Sequence, residues 1–511
     1  MKLRKITSAI LTAALLTTVA GCTKKEAETD NKITWWSRLW PHVSQTAQNF
    51  GDVQFYQELE KRCGVDLEFL HPATGQETEK FNVLCASGEY PDLIEWDFTT
   101  YKGGPAKAVE DGVIIYLDEY IEKYAPNYKK YLDENPEVAR QVMTDDGHYY
   151  TFAWFRGDDS LMCWKGPQIR KDLLDKAGLA LPETLAEWDS ALRKFKEMGV
   201  EYPLSSLGNG FTDTFSGIFG VAEGFYQGNG VVKYGVIEPA YKDYINQLRT
   251  WYKDGILDQD FYAQDDKTYR AKITTGKVGA FVASAGGDMG TFISVLSGVD
   301  PTIKLAGTKY PVMNKGDVPR FGQKDFAYYP ATSVSISSQC DNIEQVVKFL
   351  DYGYSEEGHM FYNFGTEGTS YNMVDGYPTY TDLVKKDPEG LAMQFALSKY
   401  TAVAYGGPFV QDARYYEQYL PYEEQKAAVK NWTDHDDSTR IPYISYTLEE
   451  NSEHSKIMTP IRSYVSENLL KFITGQESMD KWDDFVAQIK GSGIDKVISI
   501  TQTALDRYND R

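Results

Sequence analysis

The sequence predicts an α/β fold built as two or more lobes, and three observations carry that prediction. Strand-like and helical patterns alternate between residues 33 and 97. At 511 residues the chain outgrows one hydrophobic core. Its 42% hydrophobic content fills several cores and excludes intrinsic disorder. The net charge of −21 removes the electrostatic drive toward nucleic acid or anionic lipid surfaces. With 37 Tyr, 24 Phe and 10 Trp against six His, the chain is better supplied for stacking on a ligand than for metal chemistry.

The elements follow in order. Lys2, Arg4 and Lys5 precede an apolar run from Ile6 to Val19 that is too short to span a bilayer, which marks a secretory signal. Val19-Ala20-Gly21-Cys22 reads as a lipobox, so residues 1–21 are expected to be a signal peptide, Cys22 to carry lipid, and residues 22–31 to form a tether. Ile33-Thr34-Trp35-Trp36 reads as a strand. Val53, Tyr56, Leu59 and Cys63 then recur at helical spacing, Gly64 stops that helix, and Val65 to Leu70 reads as the returning strand. A helix over Glu79 to Ala86 and a strand over Pro91 to Asp97 follow. Asp146-Gly147 marks a hairpin turn. Thr184 and Glu187 match a capping box ahead of Trp188, Leu192 and Phe195. Tyr241, Ile245, Leu248 and Tyr252 form a further stripe closed by Gly255, and two helices end the chain, the first stopped by Gly491. Cys63, Cys85, Cys163 and Cys340 have no metal-ligand spacing. Cys63 and Cys85 could meet as a disulfide, or stay apart as small buried hydrophobes.

Several segments in this order resemble the family 1 extracellular solute-binding lipoproteins of bacterial ABC importers, in the oligosaccharide-binding branch. They are Ala86 to Ile94, Tyr116 to Ile121 with Ala125-Pro126-Asn127, Ile169 to Gly178 with Pro182-Glu183-Thr184, and Trp251 to Gly255. Ser355 to Gly358, Asn363 to Gly368 and Asp506-Arg507-Tyr508 complete the match. The resemblance implies a two-lobe, periplasmic-binding-protein-like α/β fold with a hinge and an interlobe ligand cleft. One lobe would hold residues 32–155 plus 334–400, the other 156–333 plus 401–511. It implies capture of an oligosaccharide by a monomer anchored at the outer face of the bacterial cell membrane, and delivery to ABC permease subunits without cofactor or turnover. Where many members of this branch carry a calcium loop, Phe195 to Pro203 lacks alternating oxygen ligands, so no calcium is expected there. The acidic run Asp434-His435-Asp436-Asp437 reads as a solvated loop.

A sugar pocket stacks aromatic rings on pyranose faces and aims polar groups at hydroxyls. Glu95, Trp96 and Asp97 leave a strand where this family supplies Trp and acidic contacts. Trp36 and Trp40 flank the first strand exit, and Trp154, Arg156 and Asp158 lie where the chain first crosses between lobes. From the second lobe, Phe211, Gly287 and Asp288 are expected to answer. The motifs of Ser hydrolases, zinc proteases and P-loop enzymes are absent from the sequence. A glycoside hydrolase, needing only two carboxylates, is the main rival reading. A sensor or adhesin with the same cleft is the other.

Overall fold

A computed structural model describes residues 31–208 and 210–511. The signal peptide, Cys22 and the tether through residue 30 lie outside the described residues. The first sheet has six strands, in the order Val410–Gln411, Phe152–Arg156, Tyr328–Ile336, Leu93–Glu95, Lys32–Trp36 and Asp66–Leu70. Lys32–Trp36 runs parallel to both neighbours, with Trp36 opposite Leu70 on one side and Ile94 on the other. The helix Gln54–Cys63 makes the predicted crossover, burying Phe55, Tyr56 and Leu59 and ending at Gly64 with φ 67°.

Period-two alternation puts successive strand residues on opposite faces. Trp35 and Phe69 therefore enter a core with Phe349 and Leu350, while Trp36 and Ile94 enter a separate core with Phe81 and Val113. This division corrects the Cys63–Cys85 pairing: Cys63 packs against the first core, Cys85 against the second, and both thiols are free. Burial pushes Cys63 up to about 12 and Cys85 up to about 11, which keeps them inert.

The second sheet has four strands, in the order Leu305–Gly307, Lys165–Arg170, Val278–Ser284 and Tyr202–Leu204. The helix Leu185–Glu197 packs Trp188, Leu192 and Phe195 into this lobe behind a complete capping box. Glu187 N donates to Thr184 Oγ1 at 3.3 Å, and Thr184 N donates to Glu187 Oε2 at 3.0 Å. In the last turns of this helix Lys196 Nζ donates to the Asp254 carbonyl and Arg193 Nη1 to Asp254 Oδ2 at 2.9 Å, which ties the helix end to the residue after the helix Pro239–Lys253. In the acidic run, Asp434 pairs with Lys309, Asp436 with Arg320 at 3.4 Å and Asp437 with Lys324 at 2.8 Å. Near the end, the helix Trp482–Gly491 runs through Gly491, and the left-handed residue is Gly493, φ 99°.

The chain crosses between the lobes after Arg156, before Tyr328 and after Gln411, and hydrogen bonds lace these segments together. Arg156 N donates to the Ala327 carbonyl at 2.8 Å, Gly157 N to the Gln411 carbonyl at 3.2 Å, and Asp325 N to the Met162 carbonyl at 2.9 Å. A Cβ on Gly157 would stand 2.5 Å from the Gln411 carbonyl oxygen, so the close approach of two crossings requires glycine here. The chain re-enters the first sheet at Tyr328 and stays with it through Gln411.

Candidate functional site

Two concavities open along the ends of the first sheet's strands. One, about 430 Å³, lies between the lobes: Trp154 and Arg156 enter from the first sheet, Ser284 and Gly287 from the end of the second, and Tyr415 and Tyr419 from the helix Ala413–Tyr419. The other, about 550 Å³, belongs to the first lobe and is lined by Arg38, Phe81, Glu95, Trp96, Asp97 and Tyr101. Tyr329 stands beside the interlobe cavity: Trp154 meets its ring edge-on at 5.3 Å, and the Arg156 guanidinium lies 5.3 Å from its centroid.

Strand geometry explains the first-lobe wall. Leu93–Glu95 ends with its side chains buried, and the chain then turns through Phe98–Thr100, capped by Asp97, whose Oδ1 accepts from Thr99 N at 3.0 Å. That turn leaves Trp96 half-buried on Phe81, rings 4.3 Å apart and 14° from parallel, beside the cavity. Trp36 supports this pair edge-on at 5.8 Å from Trp96 and is itself 6% exposed, so it braces the platform from behind. Trp40 carries the Arg38 guanidinium 3.3 Å from its ring centroid and donates from Nε1 to Glu95 Oε1 at 3.5 Å.

Glu95 is 5% exposed, and burial pushes its pKa up to about 8 despite the Arg38 guanidinium, the Trp40 N–H and Ser37. Below its ordinary value of 4.5 the folded and unfolded chains both hold this proton; between 4.5 and about 8 only the folded chain does. Stability from this group therefore falls as pH rises through that window, by on the order of 5 kcal/mol, and is flat above it. Glu95→Gln should remove that slope. Melting temperatures of both proteins from pH 5 to 9 test this, and a constant difference between them across the range would refute the assignment.

The remaining predicted residues are distributed differently. Asp158 is exposed, caps the helix Asp159–Met162 through Ser160 N at 2.8 Å, and lies in a separate groove with Lys309 and Lys430, away from Trp154 and Arg156. Phe211 is 1% exposed and packs on Phe215 and Phe261, so the expectation of a ligand contact gives way to a core role. Asp288 is also corrected: its carboxylate accepts from Ser284 N at 2.9 Å and pairs with Arg270, which commits it to holding the turn Ala285–Met289. That turn matters, because it seats Gly286 under Tyr419 and leaves Gly287 open toward the interlobe cavity.

Sequence reasoning missed Tyr329, Trp164 and the tyrosines of the helix Ala413–Tyr419. A signal existed for the last: Tyr415, Tyr416 and Tyr419 share one side of a helix at i, i+1 and i+4 spacing. Trp164, 39% exposed at the first crossing, donates from Nε1 to Asp325 Oδ2 at 3.1 Å, and Asp325 accepts from Arg156 Nη2 at 2.8 Å. The cavity floor and the crossings thus share one polar network.

Comparison with known proteins agrees with this architecture. The chain is 26% identical over 494 residues to the fructooligosaccharide ABC transporter substrate-binding protein FusA of Streptococcus pneumoniae, covering 88% of this chain and 86% of that one. It is 26% identical over 363 residues to the lipoprotein LipO of Bacillus subtilis, covering 66% and 69%. Among solved structures, an HMO binding ABC-transporter associated solute binding protein from Bifidobacterium longum infantis superposes with a TM-score of 0.75 at 20% identity, covering 93% of this chain and 99% of that one. Its fold is the two-lobe solute-binding fold. Residues 44–360 match the family described as bacterial extracellular solute-binding protein, more than half of the chain. With that match over more than half of its length, the chain belongs to the bacterial extracellular solute-binding proteins.

Proposed function

We propose that the protein captures an oligosaccharide in the cleft floored by Trp96, Tyr329 and Trp154 and delivers it intact to the permease subunits of an ABC importer. The observation that carries this reading is the pair of aromatic rings at the strand ends of one lobe, Trp96 half-buried beside the first-lobe cavity and Trp154 at the interlobe one, the latter faced by Gly287 and Tyr419. Such rings match the apolar faces of successive sugar residues. Similarity to the fructooligosaccharide-binding FusA supports the same substrate class. The lobes close over the ligand about the crossings, driven by contacts that only the closed state makes. Glu95, Trp96, Asp97, Trp154, Arg156 and Gly287 are the contacts drawn from the sequence, with Trp36 and Trp40 behind them. Lipid on Cys22 would hold the monomer at the outer face of the cell membrane, a reading supported by the lipobox and by similarity to LipO.

Incubation with a panel of oligosaccharides tests the reading. A bound sugar should raise the melting temperature by linkage and be recovered uncleaved. Steady release of cleavage products would favour the hydrolase, and a panel without any shift would sink sugar capture. Intact mass of the protein from its native host checks the anchor, since an unmodified Cys22 excludes it.

A further inference from the structure

A charged junction ties the two lobes together, and none of its residues lines either concavity. On the first-lobe side stands Asp145, in the turn between the helix Pro136–Gln141 and the strand Phe152–Arg156, with Val142 and Phe152 in the first core. On the other side is the helix Ile494–Asn509, whose Ile494 and Val497 enter the second-lobe core with Trp188 and Phe195. Two guanidiniums from this second side reach the Asp145 carboxylate, Arg511 Nη2 at 2.6 Å and Arg507 Nε at 3.3 Å.

The two arginines are held differently. Arg507 grips Glu450 with both terminal nitrogens, at 2.8 and 2.6 Å, and donates to the Ser445 carbonyl at 2.9 Å. Glu450 also accepts from Thr447 N at 2.9 Å to cap the helix Leu448–Thr474, so Arg507 stays fixed to the second lobe whatever Asp145 does. Arg511 leans the other way: its side chain is 1% exposed, its ion pair is with Asp145, and Nη1 donates to the Arg140 carbonyl at 3.3 Å, also in the first lobe. Beside them the chain from Arg440 to Ser445 runs along the second crossing. Arg440 donates from Nη1 to the Asp325 carbonyl at 3.1 Å, and Tyr443 stands edge-on to Tyr328 at 5.9 Å. Ser445 then abuts the first lobe at Gly104, where an added Cβ would lie 3.3 Å from its own.

A carboxylate of one lobe shared by two guanidiniums of the other satisfies its bond lengths in one lobe arrangement only. Rotation about the crossings that parts Asp145 from Arg511 leaves a buried guanidinium without its counter-charge, which is strongly unfavourable. The free energy of this cluster is therefore part of the balance between lobe arrangements. We propose that Asp145, Arg507 and Arg511 form an interlobe latch that holds the lobes in the arrangement described and so sets ligand affinity from outside the cleft. The latch rests on the reading that the lobes close over a ligand, since apparent affinity scales with the fraction of the protein in the binding-competent arrangement.

Electron–electron double resonance on the mature chain tests it without any sugar. Nitroxides coupled to p-acetylphenylalanine at Lys61 and Lys490, exposed on helices of opposite lobes, leave the cysteines untouched. Asp145→Asn and Arg511→Gln should each move the mean distance by about 3 Å or more, or split the distribution. Arg511→Gln decides alone should Asp145→Asn fail to fold, and Arg511→Lys, which keeps the charge, should shift less. Lys496→Gln, which breaks a pair with Glu453 inside the second lobe, should leave the distribution unchanged. Distributions of the folded latch variants that superimpose on the wild type overturn the latch, and so does an equal shift from Lys496→Gln. Panel sugars that bind should then change in affinity by about threefold or more, tighter or weaker according to which arrangement the variants favour. Unchanged affinity alongside a shifted distribution overturns the control of capture. A shifted distribution with no sugar bound by any of the proteins leaves the latch standing and sinks the capture reading.

Discussion

Trp96→Ala is expected to weaken oligosaccharide binding by about 1–3 kcal/mol, roughly fivefold to 150-fold, with little change in the melting temperature of the free protein. The indole stacks on Phe81 at 4.3 Å and still lines the first-lobe cavity, so one face is packed while the ring also borders the space a sugar would fill. Truncation removes the exposed platform while Phe81 and Trp36 stay buried in their own core. Titration by intrinsic fluorescence or calorimetry gives the affinity, and thermal unfolding without ligand gives the control. Normal binding combined with melting many degrees lower would mean that Trp96 serves the core, and the cavity beside it would lose its assignment.

Lys272→Met is expected to destabilise the second lobe by about 3–5 kcal/mol, since it strands a buried carboxylate. The Asp258 side chain is fully buried and accepts from Lys272 Nζ at 2.7 and 3.0 Å, with Ser205 Oγ at 2.7 Å and Asp260 N at 3.0 Å as its other donors. Removing the ammonium leaves the hydroxyl and the amide to hold a full charge out of water. The double variant Asp258→Leu with Lys272→Met should recover most of the loss, because an apolar pair has no charge to desolvate. Urea unfolding measures all three proteins. A single-variant cost below about 1 kcal/mol would show that this pair behaves as an ordinary surface ion pair.

Much of the fold was legible because its signals are local. The spacing of Val53, Tyr56, Leu59 and Cys63 and the stop at Gly64 prescribe a helix, and the structure has Gln54–Cys63 with Gly64 left-handed. The capping box at Thr184 and the stripe beginning at Tyr241 behave likewise, in Leu185–Glu197 and Pro239–Lys253. The long helix Leu448–Thr474 was not legible, because it keeps Pro460 inside it and spreads its buried residues from Met458 to Ile473. The return strand that begins at Tyr328 and the sheet's hold on the chain through Gln411 were not legible, because they are set by pairing partners that lie hundreds of positions away.

The site divides in the same way. Local pattern placed Glu95-Trp96-Asp97 at the exit of a buried strand, since alternation and turn residues act over a few neighbours, while the expectation that this exit meets a ligand came from the resemblance. Which of those residues face a ligand was decided by packing. Phe211 and Asp288 carry suitable chemistry, yet one is surrounded by Phe215 and Phe261 and the other is held by Ser284 and Arg270. Arg38, Glu95 and Trp96 were brought to one wall because the strands Leu93–Glu95 and Lys32–Trp36 lie side by side in one sheet. Sequence separation carries no information about such neighbours; strand order and side-chain burial do, and they are properties of the folded chain alone.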